Sequence, residues 1–295
     1  MTFPGKFETH WIDRDGIKIK LLTAGEGPPL LLLHGYPQTS FMWRKMAPKL
    51  AYHFKLVIPD MRGYGDSDKP FSDPQHKTYS KREMAADMVY IMRKLGFSKF
   101  AIAGHDRGAR VAHRLALDSE RFVSHLFVMD IVPTITMYEK TDMKFASAYY
   151  HWFFLTQPFP LPETLIGKNP EFFLKHKLNQ WGRTPGAINK EAFLEYLRCF
   201  SKADTIHASC EDYRASASID LEHDSQDRNK RLKVPLLALW GGQGFVGENY
   251  DVVSEWKKFA LNVKGQEIPG GHFLAEESPK ETFLAMLNFY QLSEK

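Results

Sequence analysis

The chain of 295 residues contains 43% hydrophobic, 14% aromatic and 25% charged residues, which is the usage of a folded globular protein. This composition excludes an intrinsically disordered chain, because its apolar side chains can offset the entropy lost on folding. The two cysteines, Cys199 and Cys210, exclude a disulfide-based scaffold and lack metal-ligand spacing. We therefore expect reduced thiols and, since residues 1–16 contain no signal-peptide pattern, a cytoplasmic protein.

The charge of the chain is nearly balanced, with 39 Lys and Arg residues against 35 Asp and Glu residues. One dense basic stretch, residues 228–233, follows an acidic stretch, and no nucleic-acid-binding motif accompanies it. We interpret it as a solvated surface and expect no nucleic-acid partner. The most apolar run, residues 28–33, is much too short to cross a bilayer, so we expect no membrane partner.

Strand and helix patterns alternate along most of the chain. The predicted strands are Ile17–Leu21, Pro29–Leu33, Lys55–Ile58, Phe100–Ala103, Leu126–Met129, Pro235–Trp240 and Gln266–Ile268, and the predicted helices are Met84–Leu95, Ala109–Asp118, Val252–Phe259 and Pro279–Tyr290. The first strand alternates in polarity, as an edge strand does, whereas continuous apolar runs predict strands buried on both faces. The alternation predicts an α/β fold in which helices cover both faces of a mostly parallel central sheet.

One long segment interrupts this alternation. Residues 133–223 are rich in aromatic residues, proline and helical patterns, and they contain no clear strand pattern. We interpret them as an inserted helical cap. The predicted organisation is a core domain formed by residues 1–132 and 224–295 and a cap domain formed by residues 133–223.

The strongest chemical pattern is the pentapeptide Gly104–Gly108, which lies between a predicted buried strand and a predicted helix. This is the context of a nucleophile elbow, G-x-S-x-G, where flanking glycines permit a sharp turn that exposes the central side chain. Here the central residue is Asp106, which can attack a saturated carbon of a halide or an epoxide and form an ester with it. By itself the pentapeptide is equally compatible with an ordinary Gly-Asp turn.

Two later residues favour the catalytic interpretation. Asp130 follows the strand Leu126–Met129, and His272 lies in the loop Gly270–Phe273. The order nucleophile, acid, histidine is that of the α/β-hydrolase triad, and both positions lie where loops leave the carboxyl ends of strands. We predict His272 as the base and Asp130 as the acid that orients it. Considered one at a time, Asp130 could instead cap a helix or stabilise a turn, and His272 could be an ordinary loop histidine.

The oxyanion hole is predicted from the positions of two backbone N–H groups in the sequence. Residues 34–37 follow the buried strand Pro29–Leu33, where this fold supplies one backbone donor, and the residue after the nucleophile supplies the other. The donors would be the N–H groups of Tyr36 and Arg107. We assign the loop Asp60–Ser67 a structural role.

The sequence resembles a known family. The segments that carry the resemblance to α/β-hydrolase-fold dehalogenases and epoxide hydrolases are His34–Gln38, Gly104–Gly108 and Gly270–Phe273. The arginine after the nucleophile, His-Trp at 151–152 and Asp-Tyr-Arg at 212–214 resemble the fluoroacetate (haloacetate) dehalogenases more specifically. The resemblance covers essentially the whole chain. Tyr36 departs from it, because the family commonly has Phe there, which leaves substrate preference open.

Two arginines fit a carboxylate substrate. Arg107 and Arg110 are three residues apart at the start of a predicted helix and can share a face. Guanidinium groups bind carboxylates through paired hydrogen bonds, so we expect them to hold a small anionic haloacid with its α-carbon facing Asp106. Either arginine could instead form a structural salt bridge.

The resemblance implies that His151, Trp152 and Tyr213 bind the halide and that Trp181 lines the pocket. Each of the three halide ligands can donate one hydrogen bond without carrying a negative charge. In a regular helix, however, His151 and Trp152 would point to different sides. For Trp152 the alternative is simple packing within the cap.

The implied reaction is hydrolytic dehalogenation of haloacetates to glycolate through a covalent aspartyl ester. The resemblance also implies no metal, no organic cofactor and a homodimer. An epoxide hydrolase would use the same Asp and His together with cap tyrosines, but it would not explain the paired arginines. A non-catalytic receptor built on the same fold is a further alternative, which the complete Asp106–Asp130–His272 set argues against.

Overall fold

The computed structural model describes residues 3–293. Eight strands form one sheet, and they are β1 (Glu8–Arg14), β2 (Ile17–Ala24), β3 (Pro29–Leu33), β4 (Lys55–Pro59), β5 (Phe100–His105), β6 (Val123–Met129), β7 (Leu236–Gly241) and β8 (Val263–Ile268). The core helices are α1 (Ala47–Leu50), α2 (Lys81–Lys94), α3 (Arg107–Ser119), α12 (Phe245–Asn249), α13 (Val252–Lys257), α14 (Leu274–Glu277) and α15 (Pro279–Ser293). Short 3-10 helices span Ser40–Lys45, Lys77–Tyr79 and Glu120–Phe122.

All helices of the inserted cap lie between β6 and β7. They are α4 (Thr134–Glu139), α5 (Met143–Ala148), α6 (His151–Phe154), α7 (Leu161–Lys168), α8 (Pro170–Trp181), α9 (Lys190–Phe200), α10 (Ala203–Ser216) and α11 (Ile219–Gln226). No strand occurs between β6 and β7. Cap residues such as Phe145, Trp152 and Tyr213 belong to the same buried apolar cluster as the sheet residues, so the core and the cap share one hydrophobic interior.

The sheet order is β1-β2-β4-β3-β5-β6-β7-β8. The pairings of β2 with β1 and with β4 are antiparallel, and the remaining pairings are parallel. The predicted α/β fold with a mostly parallel sheet and an inserted helical cap is therefore confirmed. Because parallel strands end at the same edge, the loops after β3, β5, β6 and β8 meet there.

One part of the strand prediction is wrong, namely the edge position of the first predicted strand. The strand predicted at Ile17–Leu21 is β2, which is flanked by β1 and β4 and does not lie at the edge. The edge strand is β1, which was not predicted because its sequence, ETHWIDR, contains few apolar residues. Its Trp11 remains 53% exposed. The other predicted strands and helices overlap the observed ones, with ends that differ by up to three residues.

Within residues 3–293, no helix combines the length and the apolar character that crossing a membrane requires.

Candidate active site

The turn after β5 presents Asp106 at the carboxyl edge of the sheet. Only this residue separates β5 from α3, and its φ of 47° is a strained, left-handed conformation for a residue other than glycine. A Cβ atom on Gly104 would lie 2.4 Å from the Gly108 carbonyl oxygen, and one on Gly108 would lie 2.3 Å from the His34 carbonyl oxygen. The strand and the helix can approach this closely only because both positions are glycine.

One of the two predicted oxyanion-hole amides donates to the Asp106 carboxylate. The Tyr36 N–H donates to Asp106 Oδ1 at 2.9 Å. The Arg107 amide, the second predicted donor, is the first of α3, and the first amides of a helix have no partner within it. Burial alone would raise the pKa of Asp106, but His272 and the neighbouring cations outweigh burial and hold this pKa below its usual value. The carboxylate is therefore ionised.

Asp130 and His272 form a buried pair beside this carboxylate. His272 Nδ1 lies 2.6 Å from Asp130 Oδ2, and the Gly241 N–H donates to Asp130 Oδ1 at 3.0 Å. An ionised carboxylate only accepts hydrogen bonds, so Nδ1 carries the proton. Nε2 of neutral His272 then has a free lone pair, 4.0 Å from Asp106 Oδ2. Burial lowers the pKa of His272, but the bond to Asp130 outweighs burial and raises this pKa above its ordinary value.

The cap brings aromatic rings against Tyr36 and His272. The Trp181 ring lies 5.5 Å from His272 and 4.5 Å from His151, centroid to centroid. The Tyr213 ring lies 5.4 Å from Tyr36 and 5.5 Å from His151. The structure thus brings the predicted pocket residue and two of the predicted halide ligands close to Tyr36 and His272.

The third predicted halide ligand, Trp152, contacts the same tyrosine. Its ring centroid lies 6.2 Å from that of Tyr213. His151 and Trp152 open α6, a single turn in which adjacent side chains diverge by about 100°. They meet at one ring because Tyr213 comes from a different helix, α10, and is reached from both directions.

Several buried polar atoms at this site have no hydrogen-bond partner within residues 3–293. They are Tyr36 Oη, Arg107 Nη1, Arg110 Nε, His151 Nδ1, Trp181 Nε1, Tyr213 Oη and His272 Nε2. Buried polar atoms are nearly always paired, because an unpaired one costs free energy. Their concentration around one carboxylate indicates a binding site for a small molecule that accepts hydrogen bonds. The described residues contain no group of three or more potential metal ligands.

Arg107 is already paired with a cap carboxylate. Its Nε and Nη2 donate to Asp212 at 3.0 and 2.7 Å, and Nη2 also donates to Ser216. Lys81 and Tyr64 donate to the same carboxylate. Burial lowers the pKa of Arg107, but Asp212 outweighs burial and raises this pKa well above its ordinary value. Arg107 therefore joins α3 to the cap, and its Nη1 remains available to a ligand.

Arg110 is a different case, because it forms no salt bridge to a carboxylate within residues 3–293. Its guanidinium donates to Thr134 Oγ1 at 2.9 Å and to Met137 Sδ at 3.0 Å, and it stacks on Trp152 with Cζ 4.8 Å from the ring. Burial and the nearby Arg107 lower the pKa of Arg110. The charge of Asp106 offsets this effect only in part. A buried cation that no carboxylate bonds is costly, so this position favours an anionic ligand.

Sequence analysis did not identify two residues beside the site. Asp212 lies in the Asp-Tyr-Arg motif that carried the family resemblance, but nothing in the sequence pairs it with Arg107. Lys177 lies in α8 with its Nζ 3.6 Å from the centre of the Tyr150 ring and 5.2 Å from that of Trp181. A lone lysine in a helix carries no signal for such a position.

Comparisons with known proteins agree with this geometry. The α/β hydrolase fold family profile matches residues 28–279. The chain is 40% identical to a fluoroacetate dehalogenase of Burkholderia sp over 96% of this chain and 93% of that protein. It is 33% identical to a soluble epoxide hydrolase of Corynebacterium sp. (strain C12) over 94% of each. A crystal structure from Salmonella enterica, provisionally named an acyltransferase, shares 50% identity and a TM-score of 0.98, covering 99% of this chain and 98% of that one.

The predicted resemblance to the fluoroacetate dehalogenases is confirmed by the first of these relatives, which matches nearly the full length of both chains. The chain is a hydrolase that belongs to the α/β hydrolase fold family.

Proposed function

We propose that this hydrolase cleaves the carbon–halogen bond of haloacetates, with fluoroacetate as the first candidate substrate, and produces glycolate and halide. The observation that carries the proposal is the buried Arg110 guanidinium, which lies one helical turn after Asp106 and forms no salt bridge within residues 3–293. A substrate with a carboxylate next to its reactive carbon supplies the missing charge. The fluoroacetate dehalogenase of Burkholderia sp supports the same substrate class.

In the first step, Arg110 and the free Nη1 of Arg107 hold the substrate carboxylate so that the α-carbon faces Asp106. A carboxylate oxygen of Asp106 attacks this carbon from the side opposite to the halogen. The new C–O bond forms while the carbon–halogen bond breaks, and the bonding electron pair leaves with the halide. The first step yields an ester of Asp106 and a halide ion.

The negative charge thus moves from Asp106 to the halide. Donors that already point to the halide position stabilise this charge without reorganisation. His151, Trp152 and Tyr213 carry such N–H and O–H groups, and Tyr213 Oη has no partner among the described residues. We assign the halide position to these three side chains.

In the second step, His272 Nε2 takes a proton from water, and the resulting hydroxide adds to the carboxyl carbon of the ester. The N–H groups of Tyr36 and Arg107 stabilise the oxyanion. The bond from this carbon to the glycolate oxygen then breaks, and that oxygen takes the proton from His272. Asp106 loses its remaining proton to water and regains its charge, while Asp130 keeps the imidazole oriented.

Epoxide hydrolysis is the second candidate, because the unpartnered Tyr213 hydroxyl is a suitable proton donor to an epoxide oxygen. Tyr196, another cap tyrosine, is not free for this role, since its hydroxyl donates to Glu276. A neutral epoxide would also leave the buried Arg110 without a carboxylate bonded to it. Haloacetate hydrolysis therefore explains more of the buried polar groups at the site than epoxide hydrolysis does.

Acyl transfer and non-catalytic ligand binding explain fewer features of the site. A carboxylate nucleophile such as Asp106 would form an anhydride with an acyl group, whereas acyl transfer through serine or cysteine forms an ester or thioester. A receptor has no need of a histidine whose free nitrogen faces an ionised carboxylate at 4.0 Å.

The test compares halide release from fluoroacetate and chloroacetate with hydrolysis of a small neutral epoxide, using the same enzyme preparation. We expect halide release from both haloacetates and little or no epoxide turnover. The variant Asp106→Asn, which keeps the size of the side chain and removes its charge, serves as the inactive control. Epoxide turnover that exceeds haloacetate turnover would favour the second candidate.

A further inference from the structure

Lys177 is a fully buried lysine of the cap. The proposed catalytic and binding roles of the other site residues do not explain why a lysine is buried there. Its Nζ donates to Gln180 Oε1 at 3.0 Å. The rings of Tyr150, Trp181 and Phe173 lie 3.6, 5.2 and 5.7 Å from it, measured to their centroids. No carboxylate forms an ion pair with this ammonium group within residues 3–293.

The absence of a counter-ion distinguishes Lys177 from the other buried cation of the cap. Arg214 is paired with both Glu163 and Glu211. A buried cation is normally neutralised by an acid, because burying an unpaired charge is costly. Aromatic faces offset part of this cost for Lys177 through cation–π attraction, but they leave its positive charge available to a nearby anion.

The proposed dehalogenation creates such an anion in the part of the cap that contains Lys177. Trp181, which contacts the ammonium group, lies 4.5 Å from His151, one of the side chains assigned to the halide position. The first step moves one negative charge from Asp106 in the core to the halide in the cap. Arg110 is then engaged by the substrate carboxylate, so the new anion needs a second positive charge on the cap side.

We propose that Lys177 is a positioning residue that supplies the positive charge for the departing halide and so favours substrates whose leaving group departs as a free anion. This inference rests on the proposed function. It distinguishes haloacetates from epoxides, because the oxygen of an opened epoxide is protonated and stays attached to the product.

The titratable neighbours of Lys177 support this division of roles. Tyr150 immediately precedes α6 and His151 is its first residue, and the His272 ring lies 5.5 Å from that of Trp181, centroid to centroid. Burial, followed by the charge of Lys177, lowers the pKa of His151, and burial raises the pKa of Tyr150, so both side chains are neutral near pH 7. Burial lowers the pKa of Lys177 itself to about 7. A bound anion favours the protonated amine.

The test measures bromide binding by quenching of tryptophan fluorescence in three variants. Lys177→Met removes the charge and keeps a flexible side chain of similar length, whereas Lys177→Arg keeps the charge. Lys175→Met removes one charge from an exposed position of the same helix and is the matched control. We expect Lys177→Met to weaken bromide binding about tenfold or more. Lys177→Arg and Lys175→Met should stay within about threefold of wild type.

A pH series separates this charge from a structural role. Wild-type bromide binding should weaken as the pH rises through about 7, where the ammonium loses its proton. In Lys177→Met this pH dependence should be absent. If it persists there, it belongs to His272, and the assignment to Lys177 is wrong. Should Lys177→Met fail to fold, Lys177→Arg decides, because arginine stays charged. Bromide binding in that variant should lose its pH dependence near pH 7, whereas a dependence that belongs to His272 would persist.

Kinetics then separate this inference from the function on which it rests. Lys177→Met should slow the first halide release from chloroacetate and leave the KM nearly unchanged. Halide release by wild type combined with wild-type bromide binding in Lys177→Met would overturn only the role of Lys177. Bromide binding that depends on Lys177, in a protein that releases halide from no haloacetate, would overturn the proposed function and leave the anion site standing.

Discussion

At the scale of single residues, two arginines one helical turn apart have different roles. Arg107 directs two of its nitrogens at Asp212, whereas Arg110 has no carboxylate partner among the described residues. Removal of one member of a buried ion pair leaves an uncompensated charge, but removal of an unpaired buried cation relieves one. Replacement of each arginine by a neutral side chain should therefore have opposite effects on stability.

Arg110→Met should lower kcat/KM for chloroacetate, because loss of a charge-assisted hydrogen bond costs about 1.5–3 kcal/mol. Its urea midpoint of unfolding should equal or exceed that of wild type. Arg107→Met should lower the free energy of unfolding by about 3 kcal/mol or more, because Asp212 loses its main partner. Urea denaturation of both variants, together with kinetics on chloroacetate and a neutral epoxide, measures these effects. Equal losses of stability would show that both arginines are structural.

His272→Asn should release one halide per active site and then stop. The imidazole is needed to activate water for ester hydrolysis but not for the displacement by Asp106. Intact-protein mass spectrometry should detect one added carboxymethyl group, and peptide mapping should place it on Asp106. Sustained turnover by unmodified protein would contradict the two-step mechanism.

Acid pH should produce the same trapped ester in the wild-type enzyme. The pKa of His272 lies above its ordinary value and that of Asp106 lies below its own. As the pH falls through the raised pKa, the histidine becomes protonated and stops acting as a base, while Asp106 remains an anionic nucleophile. Quenched-flow samples at falling pH should therefore contain a growing fraction of ester. A constant ester fraction would mean that another group limits hydrolysis.

The halide donors should matter more for fluoride than for chloride. Fluoride forms the stronger bond to carbon and depends more on hydrogen bonds as it leaves. We expect His151→Asn, Trp152→Phe and Tyr213→Phe each to reduce fluoroacetate turnover more than chloroacetate turnover. Initial rates on both substrates, measured in parallel, give the ratio for each variant. Parallel losses would assign these side chains to the packing of the cap alone.

At the scale of elements, the contact between β5 and α3 determines where the nucleophile lies. Gly108 faces the backbone that follows β3, and a Cβ atom there would overlap the His34 carbonyl oxygen at 2.3 Å. A backbone atom cannot move away as a flexible side chain can. The helix must therefore shift, and Asp106 moves with it.

Gly108→Ala should abolish activity and sharply reduce the yield of folded protein. Gly167→Ala is the matched control, because Gly167 lies in α7 and its added Cβ atom would have no neighbour within 4 Å. The control should gain about 0.4–1 kcal/mol of stability through the reduced entropy of the unfolded chain. Thermal unfolding and halide release of both variants provide the comparison. An active, stable Gly108→Ala enzyme would refute the close-approach argument.

Strands formed by continuous apolar runs could be predicted from the sequence, whereas the polar edge strand β1 could not. The strand β3 is an uninterrupted apolar run, and the elbow has its glycines in fixed register, so both are visible in a single sequence. The strand β1 is held by its pairing with β2 and has a polar sequence. The pair Arg107–Asp212 and the place of Lys177 depend on how cap helices lie on the core, which local patterns do not encode.

At the scale of the whole molecule, the cap and the core share one interior. The buried apolar cluster is continuous from the sheet to cap residues such as Trp152. Two buried polar contacts reinforce it, since Arg107 bonds Asp212 of α10 and Glu276 of α14 bonds Tyr196 of α9. A cap that separated from the core would expose all of these groups.

Unfolding should therefore occur in one transition, although the cap is a large insertion. Tryptophan fluorescence reports on the cap through Trp152 and Trp181 and on the core through Trp43 and Trp256, while far-ultraviolet circular dichroism reports on the helices and strands as a whole. We expect the two probes to have coincident urea midpoints, which is the usual criterion for two-state behaviour. Separate midpoints would mean that the cap unfolds independently.

The ion pair between Arg107 and Asp212 also limits how the two parts of this fold can be exchanged among relatives. A cap taken from a protein without an acid at the position of Asp212 would leave Arg107 and Lys81 facing each other without their common counter-ion. A core without an arginine at position 107 would leave the buried acid of the incoming cap without its ion-pair partner. Functional chimeras should therefore require that the elbow and α10 be inherited together, even though 105 positions separate the two charges in the sequence.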